Sequence, residues 1–145
     1  YTYEEMFKYF EWKYPDKVAA RIYYDGKESH KLYAASDLYM MPSISEPCGI
    51  SQLIAMRYGS LPIVREAGGL KDTVKPYNKY TGEGSGFSFE NINAHELLFA
   101  SKNAIDLYKN NREAFDKLVV NAMKEKNDWE ESSKKYIKLY EDIKA

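Results

Sequence analysis

Cysteine is nearly missing from this chain. Cys48 stands alone, so no disulfide can close within the sequence and no thiolate cage can hold a metal. A lone thiol fits a reducing compartment, and the cytoplasm is the expected location. Net charge is also nearly missing: 21 Lys and Arg face 22 Asp and Glu, for a net charge of -1. Such a balance offers no overall attraction to nucleic acid or to anionic lipid, so neither is an expected partner and any anion must be bound locally. No apolar run approaches the roughly 18 residues that could cross a bilayer. The first residue is Tyr1, and nothing near it has the charged, apolar and small-residue order of a signal peptide. Repeats and low-complexity segments are absent as well. What is present is 145 residues, 44% hydrophobic and 30% charged, enough for one domain with a core and too apolar for a disordered polyampholyte.

Thr2 and Glu5 have capping-box spacing, and Tyr3, Phe7, Phe10 and Tyr14 continue a helical stripe to a turn at Pro15 to Lys17. Val18 to Tyr24 reads as a strand ended by Asp25-Gly26. A short helix over Lys27 to Ser36 would bury Leu32, Tyr33 and Ala35, and Asp37 to Met41 is a second strand. Pro42 to Gly49 is a loop, followed by a helix whose face is marked by Ile50, Leu53, Ile54 and Tyr58 and which stops at Gly59. Leu61 to Val64 and Phe87 to Phe89 are a third and a fourth strand, separated by the Gly68-Gly69 turn and a polar surface stretch from Lys75 to Gly86. Asn93 with Glu96 caps a helix to about Tyr108. Phe115, Leu118, Val119, Ala122 and Met123 define the next, and Asp128 with Glu131 opens a last helix carrying Trp129, Tyr136, Tyr140 and Ile143.

Strands separated by helices imply parallel crossovers, and so an α/β, Rossmann-like, three-layer parallel sheet. Four strands are few for such a sheet, which predicts that it is incomplete and that further sequence belongs before Tyr1. In open α/β sheets ligands bind beyond the carboxyl ends of the strands, here after Tyr24, Met41 and Val64. The loop after Met41 holds Glu46 and runs into a helix start at Gly49, Ile50 and Ser51, whose free amides and hydroxyl suit a phosphate or sugar hydroxyls. On pattern alone, an ordinary loop feeding a helix is the favoured account.

Pro42-Ser43, Glu46-Pro47-Cys48-Gly49-Ile50, Gln52-Leu53, Ala55-Met56-Arg57-Tyr58-Gly59, Pro62-Ile63-Val64-Arg65 and Gly68-Gly69-Leu70-Lys71-Asp72-Thr73-Val74 together resemble the C-terminal domain of glycogen and starch synthases. These are retaining glycosyltransferases with two Rossmann-like domains, the GT-B architecture. The resemblance runs from about Tyr3 to the end. It implies residues 1–145 form a partial C-terminal domain with extra C-terminal helices. The implied donor is ADP-glucose and the acceptor an α-1,4-glucan, held by an N-terminal domain that lies outside these residues. Glu46 falls on the carboxylate that hydrogen-bonds the transferred glucose and stabilises the oxocarbenium-like transition state. Gly49, Ile50 and Ser51 fall on the helix start that receives diphosphate and sugar, Cys48 on a backbone-contact or packing position, Tyr24 on an aromatic against the adenine ring, and Gly68-Gly69 on a loop near the donor. No cofactor and no metal are implied.

The Lys-x-Gly-Gly loop and catalytic histidine of the family's N-terminal domain have no counterpart in these residues. Nor do the Arg and Lys that neutralise the departing diphosphate, so the resemblance implies that this chain alone does not turn over. A stand-alone module that binds a nucleotide sugar or a protein remains the alternative. UDP-glucose remains an alternative donor, since a tyrosine stacks on either base. The aromatic face of the last helix either crosses to the missing domain or packs into the core.

Overall fold

The computed structural model describes residues 2–144. They fall into two units, the first ending at His30 and the second beginning at Lys31. In the first, α1 (Thr2–Lys13) ends at the Pro15 turn, where the amides of Lys17 and Val18 both return to the Tyr14 carbonyl. The run from Val18 to Tyr24 is not a strand: none of these residues joins a ladder. The Ala20 amide bonds instead to the Glu11 carboxylate at 3.0 Å, which also holds Arg21 at 3.1 Å. β-branched and aromatic residues suit a pleated surface, but a strand forms only where its backbone groups meet a neighbour. Asp25 then caps α2 (Gly26–Ala35), accepting from the amides of Lys27 and Glu28.

The second unit is built on three parallel strands, β1 (Leu38–Met41), β2 (Leu61–Arg65) and β3 (Phe87–Phe89), in the order β1-β2-β3. Leu38 pairs with Leu61, and Ile63 with Phe87. The α/β parallel sheet of the sequence reading is present, with three strands in place of four. Strand alternation sends Leu61, Ile63, Phe87 and Phe89 to one face. There they pack with Met56 of α3 (Ser51–Arg57), Ala100 and Ala104 of α5 (Ala94–Asn110), and Phe115, Leu118 and Ala122 of α6 (Arg112–Lys124). Val64 points the other way, onto Leu70 of the short α4 (Gly69–Thr73) and the adjoining Val74.

The caps expected at Asn93 and Asp128 are in place, with the Glu96 and Glu131 amides 2.9 and 3.2 Å from the capping oxygens. Two apolar faces differ from expectation. Leu32 and Ala35 of α2 are exposed and Tyr33 is half-buried, so that helix buries none of the three. On α3 the buried residues are Gln52, Ala55 and Met56, while Ile50 is 68% and Tyr58 46% exposed. Both lie just beyond the ends of a seven-residue helix, where the stripe runs off the sheet. The last helix, α7 (Trp129–Lys144), buries no residue, and Trp129, Tyr136 and Tyr140 are all exposed. Core packing is therefore not the account of its aromatic face.

Candidate functional site

The loop after β1 and the loop after β2 meet at the carboxyl ends of the parallel strands, and their contact is backbone against backbone. Gly68, at φ +47°, leaves room that a Cβ would fill only 1.9 Å from the Glu46 carbonyl oxygen. A Cβ on Gly69 would lie 2.0 Å from the Cys48 carbonyl oxygen. The Gly69 amide donates to the Pro47 carbonyl at 3.2 Å. Neither glycine can be exchanged without parting the loops, so the Gly68-Gly69 pair is more than a tight turn.

Arg65 fastens the same junction from the end of β2. Its Nε donates to the Ser43 carbonyl at 2.8 Å and its Nη2 to that of Ile44, while Nη1 reaches the Glu90 carbonyl at 3.5 Å beyond β3. Next to it, Glu66 accepts from the Ser88 hydroxyl at 2.8 Å and lies 3.7 Å from Lys71. The Pro42 to Gly49 loop is thus held in shape by charged and backbone bonds, not by a hydrophobic anchor.

Within that frame, the Glu46 side chain is half-buried and makes no hydrogen bond or ion pair among the described residues. The amides of Gly49, Ile50 and Ser51 likewise have no acceptor among the described residues. A free carboxylate and three free donors therefore share one short segment, suited to sugar hydroxyls on one side and anionic oxygens on the other. Ser51 departs from expectation: its hydroxyl turns back to the Met41 sulfur at 3.2 Å. Cys48 is a free, exposed thiol, and it joins the site through its carbonyl.

The structure thus brings Glu46, Cys48, Gly49, Ile50, Ser51, Gly68 and Gly69 into one cluster. Tyr24 belongs to the first unit, where it ends the unpaired segment and is 95% exposed. Three residues of the junction carry no assignment from sequence: Arg65, Gln52 and Thr73. The available signal was a glutamine at position 52, in helical step with Ala55 and Met56 on a face that should be apolar.

A larger cavity, of about 880 Å³, lies at the other end of β3, between Pro76 to Tyr80 and α5, and shares no residue with this cluster. Among the described residues there is no group of three or more His, Cys, Asp or Glu that could hold a metal. No described helix is long and apolar enough to cross a membrane.

The family model for glycosyl transferases group 1 matches residues 11–125. Over 143 residues the chain is 62% identical to the glycogen synthase of Finegoldia magna, covering 99% of this chain and 30% of that relative. It is 57% identical over the same length to the glycogen synthase of Clostridioides difficile, again covering 99% and 30%. Among solved structures, the catalytic domain of starch synthase IV from Arabidopsis thaliana, bound to ADP and acarbose, matches with a TM-score of 0.81 at 38% identity. That match covers 94% of this chain and 29% of the other. The chain spans about 30% of the length of the curated relatives it matches.

Proposed function

Because the chain belongs to the glycosyl transferases of group 1, we propose that it is part of the C-terminal domain of a glycogen (starch) synthase-type enzyme and supplies one wall of its ADP-glucose site. The observation that carries this reading is the interlock of the two strand-end loops, which presents an unpaired Glu46 carboxylate beside the unpaired amides of Gly49 to Ser51. The starch synthase structure bound to ADP supports a nucleotide donor, and the glycogen synthase relatives support a glucan acceptor.

In the proposed reaction, glucose leaves a nucleoside diphosphate and is added to the non-reducing end of an α-1,4-glucan with retention. Positive charge grows at the anomeric carbon as the diphosphate departs. The Glu46 carboxylate, already desolvated on one side and neutralised by no partner, stabilises that charge while holding a sugar hydroxyl. The Gly49, Ile50 and Ser51 amides receive oxygens of the sugar and diphosphate, with the aligned peptides of α3 behind them. On the family resemblance alone, Tyr24 is the aromatic proposed for the base. Cys48 acts through its backbone, and Gly68 and Gly69 keep the acidic loop where the sugar passes. Closure by the acceptor-binding half excludes water, so that the glucan rather than water takes the glucose.

Two polypeptides test this reading with ADP-glucose and glycogen: the 145-residue chain, and the same chain in frame with the sequence upstream of Tyr1. The expected result is incorporation by the longer protein and none by the chain alone. Robust incorporation by the chain alone would overturn the division of the site. A start codon directly before Tyr1, with no Lys-x-Gly-Gly domain upstream, would favour the stand-alone binding module.

A further inference from the structure

Gln52 is fully buried on α3, and no role above uses it. Its Nε2 donates to the carbonyls of Gly49 at 2.9 Å and Cys48 at 3.4 Å, and to the Thr73 hydroxyl at 3.1 Å. Thr73 gives its own proton to the Gly69 carbonyl at 2.6 Å, which leaves its oxygen as an acceptor toward Gln52. One amide thus joins the loop after β1 to the end of α4. The cost is visible on its other atom: Oε1 is buried with no hydrogen-bond partner among the described residues, a penalty that the Nε2 side must offset.

The direction of those bonds matters more than their number. In a trans peptide the C=O and the N–H point oppositely, and the described residues contain no cis peptide. A grip on the Cys48 and Gly49 carbonyls from the interior therefore turns the N–H groups of Gly49 and Ile50 away from Gln52 and outward. Gly49 is the residue that permits this, at φ +70° and with its Cα so close that a Cβ would lie 2.6 Å from Gln52 Oε1.

We propose that Gln52 is a positioning residue for the donor: by holding two carbonyls it aims the Gly49 and Ile50 amides at the oxygens of the ligand, and through Thr73 it keeps the α4 loop in register with them. This rests on the donor-site reading above. The role is one of donation, so it is lost in Gln52→Met and lost in Gln52→Glu while the carboxyl is ionised. It returns to Gln52→Glu at mildly acid pH, where burial keeps the carboxyl protonated and able to give one O–H.

ADP binding to the 145-residue chain is measured by titration of wild type, Gln52→Met and Gln52→Glu at mildly alkaline and mildly acid pH, with thermal unfolding recorded for each. The expected result is a loss of about tenfold in affinity for both variants at alkaline pH, with Gln52→Glu approaching wild type at acid pH and Gln52→Met not. Folded variants that bind ADP as wild type does at both pH values would overturn the role of Gln52 and leave the donor site standing. Absence of ADP binding by wild type would overturn both. Should Gln52→Met not fold, amide spectra of the wild type decide: ADP must shift the Gly49 and Ile50 N–H signals, and unmoved signals in an ADP-bound chain refute the proposal.

Discussion

Gly69→Ala separates a site built by loop contact from one in which the loops merely lie near each other. The added Cβ would sit 2.0 Å from the Cys48 carbonyl oxygen and 2.6 Å from its carbon, where real Cβ atoms essentially never approach within 3.0 Å. The atoms in the way are backbone, so relief requires the loops to part by about 1 Å in a packed junction. Gly69 is not among the positive-φ glycines, so the effect is steric and not a matter of forbidden backbone angles. Overpacking of this kind costs about 1–3 kcal/mol, and weakening the Gly69 to Pro47 hydrogen bond adds about 1 kcal/mol. For a chain of this size each kcal/mol lowers Tm by roughly 2–4 °C, which predicts a fall of roughly 4–16 °C. The matched control is Gly26→Ala, whose Cβ would meet only the Tyr24 hydroxyl oxygen at 3.7 Å and whose Tm should hold or rise slightly. The assay is thermal unfolding followed by circular dichroism. Equal Tm values for Gly69→Ala and wild type would refute the interlock on which the site geometry depends.

Glu46→Ala, placed in the longer polypeptide of the incorporation test, should lower kcat by about 100-fold, the scale of losing one transition-state contact; a near-normal rate removes Glu46 from the site. Arg65→Ala should destabilise the fold by about 2 kcal/mol in urea unfolding, since charge-assisted bonds to the Ser43 and Ile44 carbonyls are lost together. Asn93→Ala removes the cap bonded to the Glu96 amide at 2.9 Å and should cost about 1 kcal/mol by the same measurement. The pKa of Glu96 is held below its ordinary value, first by the Asn91 backbone amide and then by the Asn91 side chain. A lowered carboxylate pKa stabilises the fold above the unfolded-state value and loses that contribution as pH falls through the folded one. The Tm gap between wild type and Glu96→Gln should therefore narrow below the ordinary glutamate range, and a gap that widens there would contradict the assignment.

The helices at Asn93 and Asp128 were legible from their caps, and the one carrying Phe115 to Met123 from its period, because both signals are local: an Asn or Asp three residues before an amide finds that amide wherever the helix packs. Val18 to Tyr24 was not, because its composition reports suitability for a sheet and says nothing of whether a ladder partner is at hand. The α3 face misled for a related reason. Ile50 and Tyr58 fit the helical period, yet a seven-residue helix presents only its middle to the sheet. The buried polar Gln52 took a place that periodicity reserves for an apolar residue. Gly68 and Gly69 could be marked from sequence, but why they are glycines rests on carbonyls 20 or so residues earlier in the chain. That distance closes only in the folded parallel sheet.

The central claim is that the interlocked loops after β1 and β2 form one wall of a nucleotide-sugar site. Titration of the 145-residue chain with ADP-glucose, followed by amide chemical shifts, tests it most directly. The account predicts saturable shifts concentrated at Glu46 to Ser51 and Gly68 to Gly69. Spectra unchanged at millimolar ligand, or shifts confined to the cavity between Pro76 and α5, would contradict it.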